Sequence, residues 1–291
     1  MTFGEKLRES RKDAGLSQEG LAEKLNVSRQ AITKWETNAG IPDIANLMAI
    51  SNLFGITLDD FVSEEKLAKQ VKSRLYESTT EYDIDGSKSF DIKLGGAKSI
   101  SVCGGGEEKI KVVLSSDTFS NIQQDFKTKI DDVRNRIDIN VNRAKQVSES
   151  AAKEQLYIEV ILPNKYISGV ELDASCEVLS LANVVCEDIE FDGRASQVNV
   201  DGLDGTFEIN CNLDMKINAS GFNGAIELNQ IKSTSRIVLP KNLPFRSVKK
   251  GIGNTVIFEE NGSASENFSS EDSENVIELT GMNSELIIER K

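Results

Sequence analysis

The spacing of apolar residues changes along this 291-residue chain, and that change constrains the fold more than any other feature. Before about residue 80, apolar residues recur every three or four positions, which is the spacing of amphipathic helices. From about residue 81 they alternate with polar residues, as in Phe90-Asp91-Ile92-Lys93-Leu94, which is the spacing of strands. The sequence therefore predicts a multidomain chain with an all-α N-terminal part and an all-β remainder.

The helical part contains two short amphipathic segments joined by a tight turn, at residues 17–36. Ser17 and Ser28 each precede a periodic segment and can cap a helix through the hydroxyl group. Asn26 follows the first segment, where a residue that tolerates positive φ can end a helix. Two helices joined in this way have the layout of a helix-turn-helix, the motif that places its second helix in the major groove of DNA.

The second helix of this pair, residues 29–36, is predicted to have one polar and one apolar face. At about 100° per residue, the polar side chains fall within an arc of roughly 140° and Trp35 lies opposite. Such polar groups can hydrogen-bond base edges or phosphates, and the arc holds Arg29, Gln30, Thr33 and Lys34. The alternative is the solvated face of an ordinary helix, and these eight residues alone leave that choice open.

The flanking residues predict three further helices. Leu7, Arg8, Arg11 and Leu16 fit a preceding helix with a basic edge. Asp43 can cap a fourth helix that stops at Gly55, and residues 57–61 fit a short fifth helix. Five helices thus fit into about 60 residues.

Residues 3–62 resemble the Cro/CI-type (Xre) helix-turn-helix domains of phage and bacterial repressors, which have a lambda-repressor-like fold. The resemblance rests on Leu16-Ser17-Gln18, Leu21-Ala22, Val27-Ser28-Arg29-Gln30-Ala31-Ile32, Trp35-Glu36 and Ile41-Pro42-Asp43. The family often has glycine where this chain has Asn26. By position, the resemblance implies contacts to DNA from Gln18, Ser28, Arg29, Gln30, Thr33, Lys34, Thr37 and Asn38. Of these, Gln18 would contact phosphate, and Thr37 and Asn38 would contact the DNA backbone.

A repeat of 18 to 19 residues marks the β part. Glutamate stands between two apolar residues at Val170-Glu171-Leu172, Ile189-Glu190-Phe191, Phe207-Glu208-Ile209 and Ile226-Glu227-Leu228. One unit of this length cannot bury a core, so neighbouring units must stack into a β-solenoid or into layered β-sheets, with the glutamates in an exposed acidic row. Residues 85–291 resemble the adhesin-type "toastrack" β-domains of bacterial envelope-stress systems, which implies a role in interaction. We expect the polar segment 261–275 to be a mobile loop.

Charge distinguishes the two parts of the chain. The net charge is −13, yet residues 1–76 hold eleven basic and eleven acidic side chains, so the acidic excess lies in the β part. Phosphate would repel such a surface, which disfavours a second nucleic-acid site.

The predicted domains are a helix-turn-helix domain at 1–62, a helical linker at 63–80 and a β-repeat domain at 81–291. The linker has an apolar stripe of Leu67, Val71 and Leu75, which either packs on its own domain or contacts a second subunit.

Enzymatic and membrane roles have little support in the sequence. Ser150-Ala151-Ala152-Lys153 has the spacing of an acyl-transfer nucleophile, and Cys103-Gly104 is similar to the cleavage sites of self-cleaving repressors, but no companion motif accompanies either. The chain has no histidine, and its four cysteines are widely spaced, so we expect buried thiols, with a redox or cysteine-only metal sensor as the alternative. With no long apolar run or signal peptide, we expect no membrane insertion and a cytoplasmic protein.

Together these patterns predict a DNA-binding transcriptional regulator that needs no cofactor and holds no metal or catalytic residue. Its partners would be double-stranded operator DNA, a second copy of the chain and a protein or small-molecule effector on the β part. We expect the protein to repress transcription, because a protein that covers a promoter blocks polymerase and needs no activating surface to do so. Two alternatives are an interaction scaffold or antitoxin that uses the helix-turn-helix to bind protein, and a self-cleaving repressor.

Overall fold

The protein divides into two compact units, Met1–Ser73 and Arg74–Lys291, which we call the helical unit and the β-unit. A computed structural model describes residues 3–14, 16–36, 40, 42–54 and 74–291. The multidomain architecture predicted from the sequence, helices followed by strands, is confirmed.

The described part of the helical unit contains four helices: α1 (Phe3–Asp13), α2 (Gln18–Leu25), α3 (Arg29–Glu36) and α4 (Ile44–Phe54). They pack around a small apolar core in which Leu7, Leu21, Ile32 and Ile50 are fully buried. Trp35 belongs to the same cluster and is 7% exposed. The predicted fifth helix, Gly55 and most of the predicted linker lie outside the described residues.

Short polar side chains set the ends of α2, α3 and α4, as predicted. The Oγ atoms of Ser17 and Ser28 accept hydrogen bonds from the backbone N–H groups of the third residue that follows each, at 3.0 and 3.2 Å. Asp43 Oδ1 accepts from the N–H of Asn46 at 2.8 Å. Asn26 ends α2 in the left-handed conformation, with φ 54°, and its backbone turns the chain towards α3.

The β-unit consists of sixteen strands between residues 74 and 291, all of which the structure describes, joined in one sheet. The strands are β1 (Tyr76–Asp83), β2 (Lys88–Gly105), β3 (Lys109–Ser116), β4 (Phe126–Val133), β5 (Arg136–Arg143), β6 (Tyr157–Pro163), β7 (Ile167–Ala182), β8 (Val185–Arg194), β9 (Gln197–Asn210), β10 (Lys216–Ile231), β11 (Thr234–Leu239), β12 (Arg246–Lys249), β13 (Thr255–Glu260), β14 (Ser263–Ala264), β15 (Val276–Met282) and β16 (Glu285–Arg290). Two short helices interrupt them, α5 (Ile122–Asp125) and α6 (Glu149–Gln155).

The first strand begins earlier than predicted. The predicted linker helix was to run to residue 80, whereas β1 starts at Tyr76 and pairs antiparallel with β3. The segment Tyr76-Glu77-Ser78-Thr79-Thr80 is rich in tyrosine and threonine, which favour strands, and its partner strand is β3, where Tyr76 pairs with Ser116. Leu75, the last residue of the predicted stripe, is exposed, and Leu67 and Val71 lie outside the described residues.

The repeat units stack in parallel register. Val170 pairs with Ile189, Ile189 with Phe207, and Phe207 with Ile226, which are the apolar residues that open each repeat. Ile226 then pairs with Ile277 on β15. The stretch of chain that joins these last two stacked strands, β10 and β15, is longer than one repeat. Stacking of neighbouring units is therefore confirmed, whereas the name β-solenoid stays a prediction because the structure shows a single branched sheet.

In-register pairing aligns apolar side chains into continuous buried rows. Leu172, Phe191, Ile209, Leu228 and Leu279 succeed one another across the stacked strands, and none is more than 2% exposed. Each such side chain contributes about 1.5 to 3 kcal/mol relative to an exposed one. The rows show why a single repeat could not be stable, because every apolar side chain depends on the strand above and below it.

The segment at residues 261–275, predicted to be mobile, is anchored in its middle by Phe268. That ring packs edge-to-face against Phe245 and Phe258, with centroid distances of 6.0 and 5.1 Å. The guanidinium carbon of Arg290 lies 4.2 Å from the Phe268 centroid. The polar composition of the segment concealed the role of this one aromatic residue.

The glutamates of the repeat form a longer acidic row than the sequence predicted, but the row is not fully exposed, because Glu190, Glu208 and Glu227 are half-buried. Pairing places Glu171, Glu190, Glu208 and Glu227 side by side, and extends the row to Glu278. Asp91 and Asp138 continue it on the other side of Glu171. Burial, followed by the charge of neighbouring carboxylates, raises the pKa of Glu190 and of Glu227 above the ordinary value.

The raised pKa values predict the effect of pH on the β-unit. The folded state holds the Glu227 proton more tightly than the unfolded chain, so this stabilisation is fully present below the ordinary glutamate pKa and is lost as the pH rises through the raised value. Glu227→Gln should therefore raise the thermal unfolding temperature of the β-unit at about pH 8, with a gain that shrinks towards about pH 4. Glu177→Gln, an exposed site outside the row, is the control, and an equal response of both variants would contradict the assignment.

Candidate nucleic-acid interface

Helix α3 has one exposed polar face and one buried face. Arg29, Gln30, Thr33 and Lys34 are exposed, and the positions one and four residues apart place them together along the helix. Ile32 and Trp35 on the other side enter the core, as the helical periodicity predicted. The exposed face therefore has the dimensions and the hydrogen-bonding groups to enter a major groove.

Among the remaining predicted site residues, the structure describes Ser28 and Gln18. Ser28 is exposed immediately before α3, where its hydroxyl oxygen caps the helix. Thr37 and Asn38, which the resemblance places against the DNA backbone, lie outside the described residues.

Gln18 connects α2 to α3 rather than extending freely into solvent. Its Nε2 donates to Glu36 Oε2 at 2.9 Å, and its Oε1 accepts from Thr33 Oγ1 at 3.3 Å. The Thr33 hydroxyl can instead donate to the carbonyl of Arg29 at 3.1 Å. The side chain that was expected to touch phosphate thus also fixes the position of α2 against the exposed face of α3.

A buried ion pair joins α1 to the end of α3. Arg11 Nε donates to Glu36 Oε1 at 2.5 Å and Nη2 donates to Glu36 Oε2 at 3.0 Å, so the pair is bidentate. The two side chains are only 10% and 2% exposed. Arg11 Nη1 also donates to the carbonyl of Leu16, in the segment that leads to α2. The pair therefore connects three helices.

The sequence predicted a helix with a basic edge that includes Arg11, but Arg11 is 9% exposed and neutralised by Glu36. Helical spacing could not reveal this contact, since its partner lies 25 residues away on another helix. The signal that could have found it is a carboxylate beside Trp35, on the side of α3 that faces the core.

Electrostatics favour the charged form of both partners. Burial raises the pKa of the Glu36 carboxyl, but hydrogen bonds from Arg11 and Gln18 outweigh burial and hold that pKa below its ordinary value. The hydrogen bond to Glu36 raises the pKa of Arg11. The ion pair thus persists at neutral pH and depends on both charges.

The residues of the motifs that suggested catalysis make contacts with other parts of the β-unit or of their own helix. Ser150 and Lys153 lie on α6, where Ser150 Oγ donates to Glu154 Oε1 at 3.3 Å and Lys153 Nζ lies 2.6 Å from Glu149 Oε1. Cys103 lies within β2 and is paired with β6 and β7 on its two sides. Burial raises the pKa of Cys176 to about 12, which disfavours its thiolate.

The helical unit, with its capped α2 and α3 and an exposed polar face on α3, is a helix-turn-helix unit. Residues 7–61 match the model of the Helix-turn-helix family. The chain is 30% identical over 94 residues to the HTH-type transcriptional regulator ImmR of Bacillus subtilis, an alignment that covers 32% of this chain and 74% of ImmR. This chain belongs to the helix-turn-helix family of transcriptional regulators.

Two further relatives match over the same part of the chain. The HTH-type transcriptional activator BcrR of Enterococcus faecalis is 48% identical over 67 residues, which cover 23% of this chain and 33% of BcrR. The immunity repressor protein of Bacillus phage phi105 is 36% identical over 84 residues, which cover 29% of this chain and 58% of the repressor. The chain therefore spans about a third of BcrR and over half of the phage repressor.

Solved structures that align with this chain over about three quarters of its length include two candidate adhesion proteins. A candidate cell adhesion protein from Clostridium sporogenes has a TM-score of 0.39 at 14% identity, covering 74% of this chain and 99% of that protein. A candidate adhesin from Bacteroides fragilis has a TM-score of 0.32 at 13% identity, covering 75% and 98%. At these scores neither supports an argument about what the β-unit binds.

Within the described parts of the chain, no helix combines the length and apolar character needed to cross a membrane.

The buried ion pair leads to a stability prediction. Glu36→Ala should leave Arg11 buried without its counter-charge and destabilise the helical unit by about 3 to 5 kcal/mol. Because the pKa of Glu36 is lowered, its contribution is present above the ordinary glutamate pKa and is lost as the pH falls through the lower, folded-state value. Unfolding followed by Trp35 fluorescence measures this, with the exposed Glu23→Gln as control. Unchanged stability of Glu36→Ala at neutral pH would refute the role of the pair.

Proposed function

We propose that this chain is a sequence-specific transcriptional regulator that reads the major groove with α3. The observation that carries the proposal is the exposed face of Arg29, Gln30, Thr33 and Lys34, held on a helix whose opposite side is packed into the core. Arginine and glutamine can each make bidentate hydrogen bonds to one base, while lysine and threonine hydrogen-bond bases or phosphates.

The charge of α3 supports the same proposal. Glu36 is the single carboxylate in the sequence of α3, and it is buried and neutralised by Arg11. The exposed side of the helix therefore presents two cations and no anion to a phosphate backbone. An ordinary solvated helix would have no need to keep its carboxylate out of the polar face.

Readout by α3 predicts loss of discrimination in two variants. Arg29→Ala and Gln30→Ala should each lose about 1 to 3 kcal/mol of discrimination at particular base pairs while the fold is preserved, because both side chains are exposed. Binding to a panel of single-base operator variants measures this. Lys24→Ala, at the C-terminal end of α2, is the control for the loss of one exposed positive charge.

Wild-type discrimination in both α3 variants would contradict the groove-facing role of α3. A uniform loss of affinity across all operators, equal to that of the Lys24 variant, would contradict base readout and leave only phosphate contact.

We propose repression as the sign of regulation, since a protein that covers a promoter excludes polymerase by occupancy alone. The relatives include a protein named as an activator and a protein named as a repressor, so their names favour neither activation nor repression. Transcription in vitro from the bound promoter should fall as the protein is added. A rise in transcript under the same conditions would overturn repression without affecting the DNA-binding proposal.

We propose further that the protein acts as a homodimer, with the β-unit supplying the subunit contact or binding an effector. The acidic excess of the chain lies in its β part, which makes that part unsuited to a second nucleic-acid surface. One helix-turn-helix reads few base pairs, and two joined copies gain affinity when both half-sites are one helical turn apart.

Dimeric binding predicts a dependence on the number of half-sites. The full-length chain should sediment at twice its monomer mass and bind an operator with two half-sites on the order of 10²-fold more tightly than one with a single half-site. Sedimentation as a monomer, together with equal affinity for both operators, would exclude the dimer. Both operators are matched in length, so that the non-specific phosphate contribution is the same.

A further inference from the structure

A groove of about 500 Å³ opens in the β-unit beside a register shift in the pairing of β2 with β7, at the place where β8 ends. We call it the corner groove. Residues Leu94–Gly96 of β2, Ala174 of β7 and Arg194 of β8 lie along it. A volume of this size is in the range of small-molecule sites in proteins.

The groove exists because β2 changes neighbours at this point. Strand β5 pairs with β2 as far as Lys93, and β6 pairs with β2 only from Ser99 onwards. The residues between them have no strand partner on that side, and the gap is bounded instead by α6 and by Leu156, whose carbonyl accepts from the N–H of Lys98 at 2.7 Å. The groove is therefore a gap in the sheet, and the strand pairing on either side of the gap keeps it open.

The floor of the corner groove is apolar. Five of the side chains that line it belong to the core of the β-unit and are no more than 9% exposed, namely Leu94, Phe126, Val141, Leu156 and Ala174. These side chains make the floor apolar, and only a small part of their surface is open to the groove.

The rim is charged and incompletely paired. Arg143 and Arg194 line the groove, and within residues 74–291 neither guanidinium has a carboxylate at ion-pair distance. Arg143 is held in place because it donates to the carbonyl of Val147. The rim also carries Asp173, which has no ion-pair partner in that range, and Glu149, which pairs with a lysine of its own helix at 2.6 Å. The rim therefore holds two guanidiniums and one carboxylate that have no ion-pair partner within residues 74–291.

Close backbone approach fixes the position of Arg194 at this rim. A Cβ atom on the preceding residue, Gly193, would lie 1.9 Å from the carbonyl oxygen of Ala174, so only glycine lets β8 pack against β7 at this point. Arg194 follows directly and pairs in register with Ser175, another lining residue.

We propose that the corner groove binds a small amphipathic oxyanion. The anionic head would lie between Arg143 and Arg194, whose planar guanidinium groups match the geometry of carboxylate, sulfonate and phosphate oxygens. The apolar body would cover the floor formed by Phe126 and its neighbours. The excess of one positive charge on the rim selects a ligand with a single negative charge over a neutral or cationic one of the same shape.

The test uses the full-length protein and a matched pair of fluorescent probes, without DNA, so that its outcome is independent of operator binding. One probe is 1-anilinonaphthalene-8-sulfonate, an amphipathic monoanion, and the other is N-phenyl-1-naphthylamine, which has the same apolar body without the charge. The sulfonate should bind saturably to one site per chain and at least tenfold more tightly than the neutral probe. Decanoate should compete with it.

Three variants locate the binding. Arg194→Ala and Arg143→Ala should each weaken binding of the sulfonate at least tenfold and leave the neutral probe unchanged, and Ser175→Leu should exclude both probes by filling the groove. Arg246→Ala, an exposed arginine on β12, is the control and should change nothing. Equal affinity for the two probes, or sulfonate binding that is insensitive to Arg143, Arg194 and Ser175, would overturn the proposal. Circular dichroism and thermal unfolding of each variant establish that it is folded.

Discussion

The buried ion pair of Arg11 and Glu36 is the interaction on which the arrangement of the helical unit depends. It joins α1 to the C-terminal end of α3, and Gln18 and the carbonyl of Leu16 bring the start of α2 into the same network. Desolvating two charges in so small a core is costly, and only the bidentate geometry and the extra hydrogen bonds offset that cost. In return, the network fixes the position from which α3 presents its exposed face.

A different constraint governs the β-unit, where no repeat can bury its own apolar residues. In-register parallel pairing solves this by stacking apolar residues into rows, and it unavoidably stacks the carboxylates of the repeat as well. Burial of these side chains, followed by the charge of the stacked carboxylates, raises the pKa values of Glu190 and Glu227. Where the neighbours of β2 change, the same sheet leaves a gap, and that gap is the corner groove.

Features set by neighbouring residues could be predicted from the sequence, and features set by distant contacts could not. Caps such as Ser17 and Asn26, the two faces of α3 and the stacking of the 19-residue units follow from local spacing. The Arg11–Glu36 pair joins residues on two helices, and the early start of β1 depends on a partner strand that the local pattern does not contain. A single aromatic residue in a polar segment, Phe268, likewise gives no periodic signal.

The central claim is that the exposed face of α3 enters a major groove of DNA. Dimethyl sulfate reacts with guanine N7 in the major groove and with adenine N3 in the minor groove, so protection of the two positions distinguishes the grooves directly. Full-length protein on its operator should protect guanine N7 in two clusters about one helical turn apart, and Arg29→Ala should remove part of that protection. Protection confined to adenine N3, or no protection of guanine N7 on a bound operator, would contradict the account.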